Sequence, residues 1–443
     1  MKLFLSSLGC ARNQVDSEVM LGRLKRGGWC ITSDPKRAHV IIVNTCSFIE
    51  PAANEAIDTI LALADHKISG VCQKLIVVGC LPERYGEAIA ETLPEVDLFL
   101  GTGAFDQIES AVAGTGSGGS CLLPDPDTKA LEDRDTPRLV TDSHMAYIKI
   151  AEGCSSRCTY CIIPKLRGAH RSRPVKDIVD EGRRLTTAGV KELVLVAQDT
   201  TRYGTDLIPP ANLGFLLDQL SGIDDDIWIR FLYGHPEHFE ETLLDVVSNQ
   251  ANVCSYFDIP IQHVDSSILK AMGRHYTESD LYRLFEAIRN PLPEAALRTS
   301  VIVGFPGETD AHVERLLRFI QSVRFHHLGV FTYSDSQDLP SHRLPDHVPE
   351  AVAAERMALI MNCQKQISLV HNQAYVGTTV RALVEEKLED NLFAARCTFQ
   401  APEVDGLTFI HKTTGGPAVT VGDFALVSIT DAMEYDIVGE CIE

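Results

Sequence analysis

The sequence predicts an α/β fold in three parts: a parallel α/β domain, a barrel or part of a barrel, and a small all-β barrel. Short apolar runs alternate with helical patterns over the first hundred residues. A second alternation starts near Thr141 and contains six strand–helix units. After about Tyr375 only short strand-like runs with turns remain. A chain of 443 residues is expected to form two or three domains.

The first part is assigned to residues 1–112. We predict strands at residues 2–8, 39–43, 74–78 and 96–100, with helices at 17–25, 50–64 and 82–92. Asp16 or Ser17 is expected to cap the first helix. Residues 101–106 begin like a dinucleotide-binding turn, but Asp106 stands where the third glycine is needed, so we expect a plain turn.

Residues 113–140 are predicted to form a linker. Residues 113–120 are rich in glycine and serine, which is typical of a flexible connection. Residues 124–137 continue the segment with proline and charge.

The second part is assigned to residues 141–374. Predicted strands are 147–150, 192–197, 227–232, 255–259, 299–303 and 328–333, and predicted helices are 176–188, 212–220, 239–248, 279–288 and 310–323. The third part, residues 375–443, has strand-like runs at 379–384, 392–397, 408–410, 424–429 and 437–441.

Composition narrows the class of protein. No run of about 18 apolar residues exists, so we expect no membrane span. Residues 1–10 have too short an apolar core for an export signal, so we expect no export. Thirteen cysteines in a long chain favour metal-binding thiols in a reducing cytoplasm over a disulfide framework. A net charge of −21 repels nucleic acid phosphates and attracts a basic protein.

Cys154, Cys158 and Cys161 lie on one short loop after the first strand of the second part. Three thiolates on one loop can hold three irons of a cubane cluster and leave the fourth iron open for a substrate or cofactor. Zinc or incidental thiols are the alternatives, but a zinc site needs a fourth close ligand, and none follows.

Cys10, Cys46 and Cys80 follow the first three predicted strands of the first part. The carboxyl ends of parallel strands share one edge of a sheet, so these three thiols are expected to converge. Each alone is typical of a buried free thiol, but all three at strand ends indicate a second ligand set. The other seven cysteines are interpreted as incidental or core thiols.

Both cysteine sets together resemble a known family. The Cys-x3-Cys-x2-Cys loop, with Tyr160 just before its last cysteine, resembles the radical S-adenosylmethionine superfamily. Cys10, Cys46 and Cys80 in their sequence contexts resemble the methylthiotransferases within it. The resemblance implies an incomplete, TIM-like (βα)6 barrel with one [4Fe–4S] cluster and an N-terminal domain with a second. It also implies that S-adenosylmethionine is cleaved to a 5′-deoxyadenosyl radical and that methylthio is transferred to a substrate.

The resemblance also suggests residues that contact S-adenosylmethionine: Tyr160, Gln198, Asp199 and Gln262. A core aromatic is the alternative interpretation of Tyr160, and turn-forming polar residues are the alternative for the others. Three arginines after the cysteine loop could contact an acidic group, although surface charge is sufficient to explain them: Arg167, Arg171 and Arg173.

The C-terminal part resembles the TRAM domain, which commonly binds RNA. Residues 376–443 contain four basic and twelve acidic residues, so this barrel is not expected to clamp RNA. Residues 400–406, the pair Gln262-His263 and the ending Glu434-Tyr435-Asp436 resemble the branch that modifies an aspartate of ribosomal protein S12. Residues 231–236 depart from the tyrosine-rich form expected in that branch.

The expected partners are the basic ribosomal protein, a flavodoxin or ferredoxin type electron donor and a sulfur donor. Two alternatives stay open at this point. One is a methylthiotransferase that acts on adenosine in transfer RNA. The other is a non-catalytic iron–sulfur scaffold or redox sensor, which could use six cysteines without catalysis.

Overall fold

The computed structural model of the chain describes residues 1–114, 120–132, 135–412 and 416–442. The three predicted parts and their order along the chain are confirmed: a parallel sheet with helices, a partial βα barrel, and a closed five-stranded barrel.

The N-terminal part is a parallel sheet in the strand order β2-β1-β3-β4-β5-β6. Its strands are β1 (Lys2–Ser7), β2 (Cys30–Ile31), β3 (Val40–Thr45), β4 (Lys74–Gly79), β5 (Leu98–Leu100) and β6 (Cys121–Leu122). Its helices are α1 (Ala11–Arg26), α2 (Glu50–Ala64), α3 (His66–Ser69), α4 (Cys80–Tyr85), α5 (Ala88–Thr92) and α6 (Ile108–Ala113). The central strand β3 is buried along its whole length, as expected for a sheet covered on both faces.

Two predicted helices of this part are wrong in their bounds. Helix α1 begins at Ala11 with Cys10 at its N-cap, so Asp16 and Ser17 lie inside the helix and do not cap it. The polar first turn concealed this start, because Asn13 is buried and donates to the carbonyls of Leu8 and Thr45. The predicted helix 82–92 is two helices, because Gly86 ends α4 with a positive φ of 63°.

The structure describes part of the predicted linker, residues 113–140. Residues 115–119, at the centre of the glycine-rich stretch, lie outside the described residues. Beyond them, β6 joins the N-terminal sheet through parallel pairing with β5. Lys129 and Glu132 are then buried. This second half of the segment is therefore packed into the protein, because its charged residues have partners inside it.

The central part contains the strands β7 (Met145–Lys149), β8 (Ala151–Glu152), β9 (Arg171–Ser172), β10 (Glu192–Val196), β11 (Trp228–Phe231), β12 (Tyr256–Asp258), β13 (Ala296–Val303) and β14 (His327–Thr332). Its helices are α7 (Ile163–Arg167), α8 (Val175–Thr187), α9 (Leu213–Ser221), α10 (Thr242–Asn249), α11 (Ser266–Ala271), α12 (Glu278–Arg289), α13 (Asp310–Val323) and α14 (Glu350–Gln373). Each of the six predicted strands is present, with ends within three residues of the prediction.

These six strands form an open barrel. Strands β7, β10 and β11 pair in parallel, as do β12, β13 and β14, and a bridge between Ile229 and Val253 joins the two groups. Among the described residues, no pairing between β14 and β7 closes the barrel. Helix α14 packs on β14, and the sequence patterns above include no helix at its position.

The C-terminal part is a closed barrel in the order β15-β16-β17-β19-β18. Its strands are β15 (Thr379–Glu389), β16 (Leu392–Cys397), β17 (Thr408–His411), β18 (Phe424–Ala432) and β19 (Ile437–Cys441). Its core is continuous with residues of the open barrel and of α1. Among the described helices, none has the length and apolar character required to cross a membrane.

Candidate active site

All six cysteines of the two predicted sets line one cavity of about 330 Å³. The cavity lies between the carboxyl edge of the N-terminal sheet and the loops that follow the barrel strands. The four residues predicted to contact S-adenosylmethionine line the same cavity: Tyr160, Gln198, Asp199 and Gln262. The fold therefore brings together every predicted site residue, including pairs more than a hundred positions apart in sequence.

The barrel cysteines lie on a loop that a small ribbon closes. Strands β8 and β9 pair in an antiparallel manner at the two ends of the loop. Gly153 has a φ of +76°, and a Cβ there would lie 2.0 Å from the carbonyl oxygen of Ala169, so only glycine fits. The amide of Cys154 donates to Gly168 O at 3.0 Å, and the amide of Cys161 donates to Cys158 O at 3.2 Å. The three thiols are thus held on one compact turn.

The N-terminal cysteines come from three strand ends, as predicted. Cys10 occupies the N-cap of α1, Cys46 follows β3 directly, and Cys80 begins α4. Gly9 has a φ of +93°, and a Cβ there would lie 2.6 Å from Cys46 Cβ. The loops carrying Cys10 and Cys46 therefore approach each other as closely as glycine allows.

The surroundings of the cavity affect how readily its cysteine thiols ionise. Burial raises the pKa of Cys80 to about 11 and the pKa of Cys161 to about 12. Burial also opposes ionisation of Cys10, but the guanidinium groups of Arg12 and Arg167 outweigh it and lower the pKa of this thiol. Soft metal ions displace protons from such thiols, so both cysteine sets fit iron–sulfur clusters.

A buried ionic network lies beside the N-terminal set. It joins three carboxylates to three cations: Asp16, Glu132 and Glu152 with Lys129, Lys149 and Arg167. Lys149 Nζ lies 2.6 Å from Asp16, 2.8 Å from Glu132 and 3.0 Å from Glu152. Arg167 bonds Asp16 at 2.6 Å and lies 3.6 Å from the sulfur of Cys80.

The network favours the charged forms of its three carboxylates, of Lys149 and of Arg167. Burial alone would raise the pKa of the Asp16 carboxyl, but Lys129, Lys149 and Arg167 lower it. Burial would lower the pKa of Lys149, but Asp16 and the two glutamates raise it well above its ordinary value. Opposite charges in close contact therefore compensate the cost of removing each group from water.

The interpretation of the three arginines as surface charge is wrong for two of them. Arg167 is 3% exposed and Arg173 is 1% exposed. Arg167 belongs to the ionic network, and Arg173 donates to Lys149 O at 2.7 Å and pairs with Glu181 at 2.8 Å. Arg171 is half-buried and donates to backbone carbonyls of the preceding segment. Arg167 bonds Asp16 across 151 positions and Arg171 bonds Lys129 across 42 positions, so composition alone could not locate these arginines.

Gln198 and Gln262 present polar atoms to the cavity. Gln198 Nε2 donates to Glu152 at 3.0 Å, while its buried Oε1 has no hydrogen-bond partner among the described residues. Gln262 has a φ of +62°, which is rare for a residue with a side chain, and its backbone bridges to Val301. Gln198 therefore offers an unused acceptor, and Gln262 is held in a strained conformation at the cavity wall.

Asp199 and Tyr160 are engaged with other side chains. Asp199 accepts hydrogen bonds from Thr201 at 2.7 Å and from the amide of Arg202, and lies 2.7 Å from His238 Nδ1. The Tyr160 hydroxyl accepts from Arg274 at 2.8 Å. Asp199 thus makes the contacts of a turn-forming residue, although it also lines the cavity.

The cavity residues that were not predicted from the sequence include Arg12, Tyr233, His235 and Arg274. Arg12 lies 4.8 Å from the Tyr233 ring centroid, and Tyr233 also has a positive φ of 64°. Arg12 could have been suspected because a cation two residues from a ligand cysteine favours its thiolate. Tyr233 and His235 lie in residues 231–236, which depart from the form expected there, and Arg274 carries no local signal.

Asp199, His235 and His238 place their ligand atoms within 4.8 Å of one another. Such a group could hold a cation, but the Arg274 guanidinium bonds the Nε2 atom of His235. Burial and Arg274 lower the pKa of His235 to about 3, so this ring is a neutral acceptor. These contacts favour a hydrogen-bonded cluster in which Arg274 occupies the position of a cation.

Comparisons with known proteins divide the chain in the same way. Residues 2–101 match the family described as Uncharacterized protein family UPF0004, residues 148–320 the Radical SAM superfamily, and residues 376–442 the TRAM domain. The ribosomal protein uS12 methylthiotransferase RimO of Desulfosudis oleivorans is 52% identical, over 99% of this chain and 100% of that protein. The protein of the same name from Clostridioides difficile is 44% identical, over 100% of this chain and 99% of that protein.

Solved structures share the fold at low sequence identity. The radical S-adenosylmethionine methyltransferase TsrM of Kitasatospora setae, with tryptophan substrate and a S-adenosylmethionine analogue bound, superposes with a TM-score of 0.57 and 15% identity. That match covers 77% of this chain and 74% of the other. It supports the fold over about three quarters of the chain.

Proposed function

Because this chain belongs to the RimO family of ribosomal protein uS12 methylthiotransferases, we propose that it inserts a methylthio group at the β carbon of an aspartate in uS12. It is a radical S-adenosylmethionine enzyme. In the proposed overall reaction, one Cβ–H bond of the aspartate becomes a Cβ–S bond. One S-adenosylmethionine supplies the methyl group and becomes S-adenosylhomocysteine. A second accepts one electron and the hydrogen atom and becomes methionine and 5′-deoxyadenosine. A separate donor supplies sulfide-level sulfur, and the electron is recovered when the carbon radical forms the Cβ–S bond.

The observation that carries this proposal is the shared cavity of the two cysteine sets. Cys154, Cys158 and Cys161 would hold one [4Fe–4S] cluster, and Cys10, Cys46 and Cys80 a second. When bound, the first cluster supplies the electron that cleaves S-adenosylmethionine. With both sets on one cavity, a substrate carbon can meet the site of radical formation and the site of the sulfur without leaving it.

The chain's own residues have defined tasks in this proposal. Gln198 Oε1, Gln262, Tyr160 and Asp199 would bind S-adenosylmethionine. Arg12 and Arg167 would compensate negative charge on the N-terminal thiolates. Because the cavity lies between domains, its walls limit the access of water to a radical.

Charge favours a basic protein as the substrate over a nucleic acid. The chain carries −21 overall, and residues 376–443 contain twelve acidic against four basic residues. An acidic surface repels phosphate and attracts a ribosomal protein rich in lysine and arginine. We place the reaction in the cytoplasm, with a flavodoxin or ferredoxin type electron donor and a separate sulfur donor.

The test uses anaerobically reconstituted protein with reductant, sulfide and S-adenosylmethionine. The unsubstituted chain is expected to release 5′-deoxyadenosine and to replace one hydrogen of uS12 with methylthio, as seen by mass spectrometry. Cys158→Ala should abolish 5′-deoxyadenosine release, because the first cluster loses a ligand. Cys46→Ala should still release it but no longer transfer methylthio, because only the second cluster loses a ligand.

Cys363→Ala is the matched control, since this half-buried cysteine does not line the cavity. It should retain both products. Full 5′-deoxyadenosine release by Cys158→Ala would contradict the ligand assignment. Modification of transfer RNA with uS12 left untouched would contradict the proposed substrate.

A further inference from the structure

A second cavity, of about 800 Å³, continues outward from the cysteine cavity. The two share six lining residues: Cys10, Phe48, Tyr160, Tyr233, Pro260 and Gln262. Its outer part is lined by β14, by the residues after β14, and by α14. This cavity is therefore a path from the protein surface to both cysteine sets.

Exposed apolar side chains line this path. We name them the mouth ring: Phe48, Ile49, Tyr85, Phe331, Met357 and Val404. Each of these residues is between 37% and 53% exposed. Clusters of this kind on a folded protein mark interaction surfaces, because single exposed apolar residues are normally scattered.

All three parts of the fold contribute to the mouth ring. Phe48, Ile49 and Tyr85 belong to the N-terminal part, Phe331 to β14, and Met357 to α14. Val404 comes from the loop between β16 and β17. The mouth ring therefore combines residues that are distant in sequence and belong to different parts of the fold.

The loop that carries Val404 is held firmly against the open barrel. The next residue, Asp405, accepts a hydrogen bond from Tyr256 at 2.6 Å and lies 3.3 Å from Arg298. The amide of Ala401 also donates to Asp405, at 2.8 Å. These contacts position an exposed valine at the mouth without any need for it in the core.

The charge available at the mouth is negative. Its two lining arginines are already paired, Arg84 with Asp338 at 2.8 Å and Arg298 with Asp258 at 2.9 Å. Glu50 and Asp335 also line the cavity and are exposed, although Asp335 contacts His342 Nδ1 at 2.8 Å. A ring of apolar groups with carboxylates beside it fits a segment that combines apolar and basic side chains.

We propose that the mouth ring is the docking surface for a basic, extended segment of the substrate protein, whose target side chain reaches Gln262 at the inner end. This inference rests on the proposed function, and it adds where the substrate binds. A second copy of this acidic chain is disfavoured by charge, and so is RNA. Continuity with the cysteine cavity favours the substrate protein as the occupant, because its target carbon must reach the space between the two cysteine sets.

The test measures steady-state methylthiolation of purified uS12 by the reconstituted holoenzyme. Phe331→Ser and Val404→Ser remove apolar contacts from different parts of the ring at exposed positions. Each is expected to raise KM for uS12 about tenfold, with kcat lowered less than about threefold. Ile68→Ser is the matched control, because Ile68 is 90% exposed on α3, away from the ring, and should retain the KM of the unsubstituted enzyme.

The possible outcomes distinguish failure of the docking surface from failure of the proposed function. KM values within about twofold of the unsubstituted enzyme in both ring variants would overturn the docking surface. A loss confined to kcat would overturn it as well, because the ring would then act on the chemistry. If the unsubstituted enzyme leaves uS12 unmodified, the proposed function fails and the docking surface falls with it.

Discussion

Arg167 shows at the scale of one residue how the site depends on distant partners. Its guanidinium bonds Asp16 at 2.6 Å, also bonds Asn13, and lies 3.6 Å from Cys80 Sγ. Both Arg167 and Asp16 are almost fully buried. Removal of the guanidinium would leave the carboxylate with less compensation inside the protein, which is costly.

We therefore expect Arg167→Ala to lower the apparent free energy of unfolding by about 3 kcal/mol. Urea denaturation followed by circular dichroism measures this change. Arg183→Ala is the control, because the Arg183 side chain is 62% exposed and, within the described part of the chain, pairs only with Asp180, at 3.5 Å. That substitution should change stability by less than about 0.5 kcal/mol. Equal effects of the two substitutions would refute the structural role of Arg167.

The two kinds of residue differ in how far sequence could predict them. The cysteine loop was predictable because its spacing is local, and the strand-end cysteines were predictable because parallel strands share an edge. The burial of Arg167 was not, since its partner Asp16 lies 151 positions away. Gln262 was predicted as a cavity residue, but its positive φ follows from tertiary pairing with Val301.

At the scale of secondary-structure elements, the first strand of the open barrel and the first strand of the closed barrel meet at His144. This residue precedes β7, and its Nδ1 lies 3.0 Å from Asp142. Its Nε2 lies 3.6 Å from Glu385 of β15. Burial would lower the pKa of His144, but hydrogen bonds to both carboxylates raise it to about 9.

The sign of the pH effect follows from this raised pKa. Protonated His144 stabilises the folded chain fully below its ordinary value of 6.5, and the contribution is lost as pH rises through about 9. We expect the melting temperature to fall more steeply between about pH 7 and 9.5 in the unsubstituted chain than in His144→Gln. The difference should correspond to about 1 kcal/mol. Parallel pH profiles would show that His144 does not join the two barrels.

Prediction of elements succeeded where one face of a segment is apolar and failed where tertiary contacts bury polar residues. Helix α13 matched at both ends. Helix α1 was predicted six residues too late, because Arg12, Asn13 and Asp16 on it serve the cavity and the ionic network. The periodicity of apolar residues indicates which face of a segment is buried. It does not indicate which polar partners the segment contacts in the folded protein.

At the scale of the whole molecule, one cluster of buried side chains contains residues of all three parts. Val15 of α1, Tyr147 of β7 and Leu383 of β15 belong to the same cluster of buried side chains. The order of the parts was predictable from the change of pattern along the chain. Their packing was not, because the patterns do not say which faces of the barrels meet.

A cluster of buried side chains that all three parts share predicts that they unfold cooperatively. We expect one calorimetric transition for the full chain instead of three. Leu383→Ala should lower the temperature of that whole transition, at a cost of about 2–5 kcal/mol, because Leu383 is fully buried. Leu388→Ala on the same strand is the control, since Leu388 is 43% exposed. A separate early transition in Leu383→Ala would show that the C-terminal barrel unfolds independently.

The ionic network limits how such proteins can recombine. Asp16 comes from the N-terminal domain, Lys129 from the connecting segment, and Lys149 and Arg167 from the barrel. A chimaera that takes its N-terminal domain from one relative and its barrel from another would combine the Asp16 position of the first parent with the Lys149 and Arg167 positions of the second. Unless both parents carry matching charges, the junction buries an unpaired ion. We therefore expect that these two domains can be exchanged between relatives only together. A tolerated exchange point should lie elsewhere in the chain.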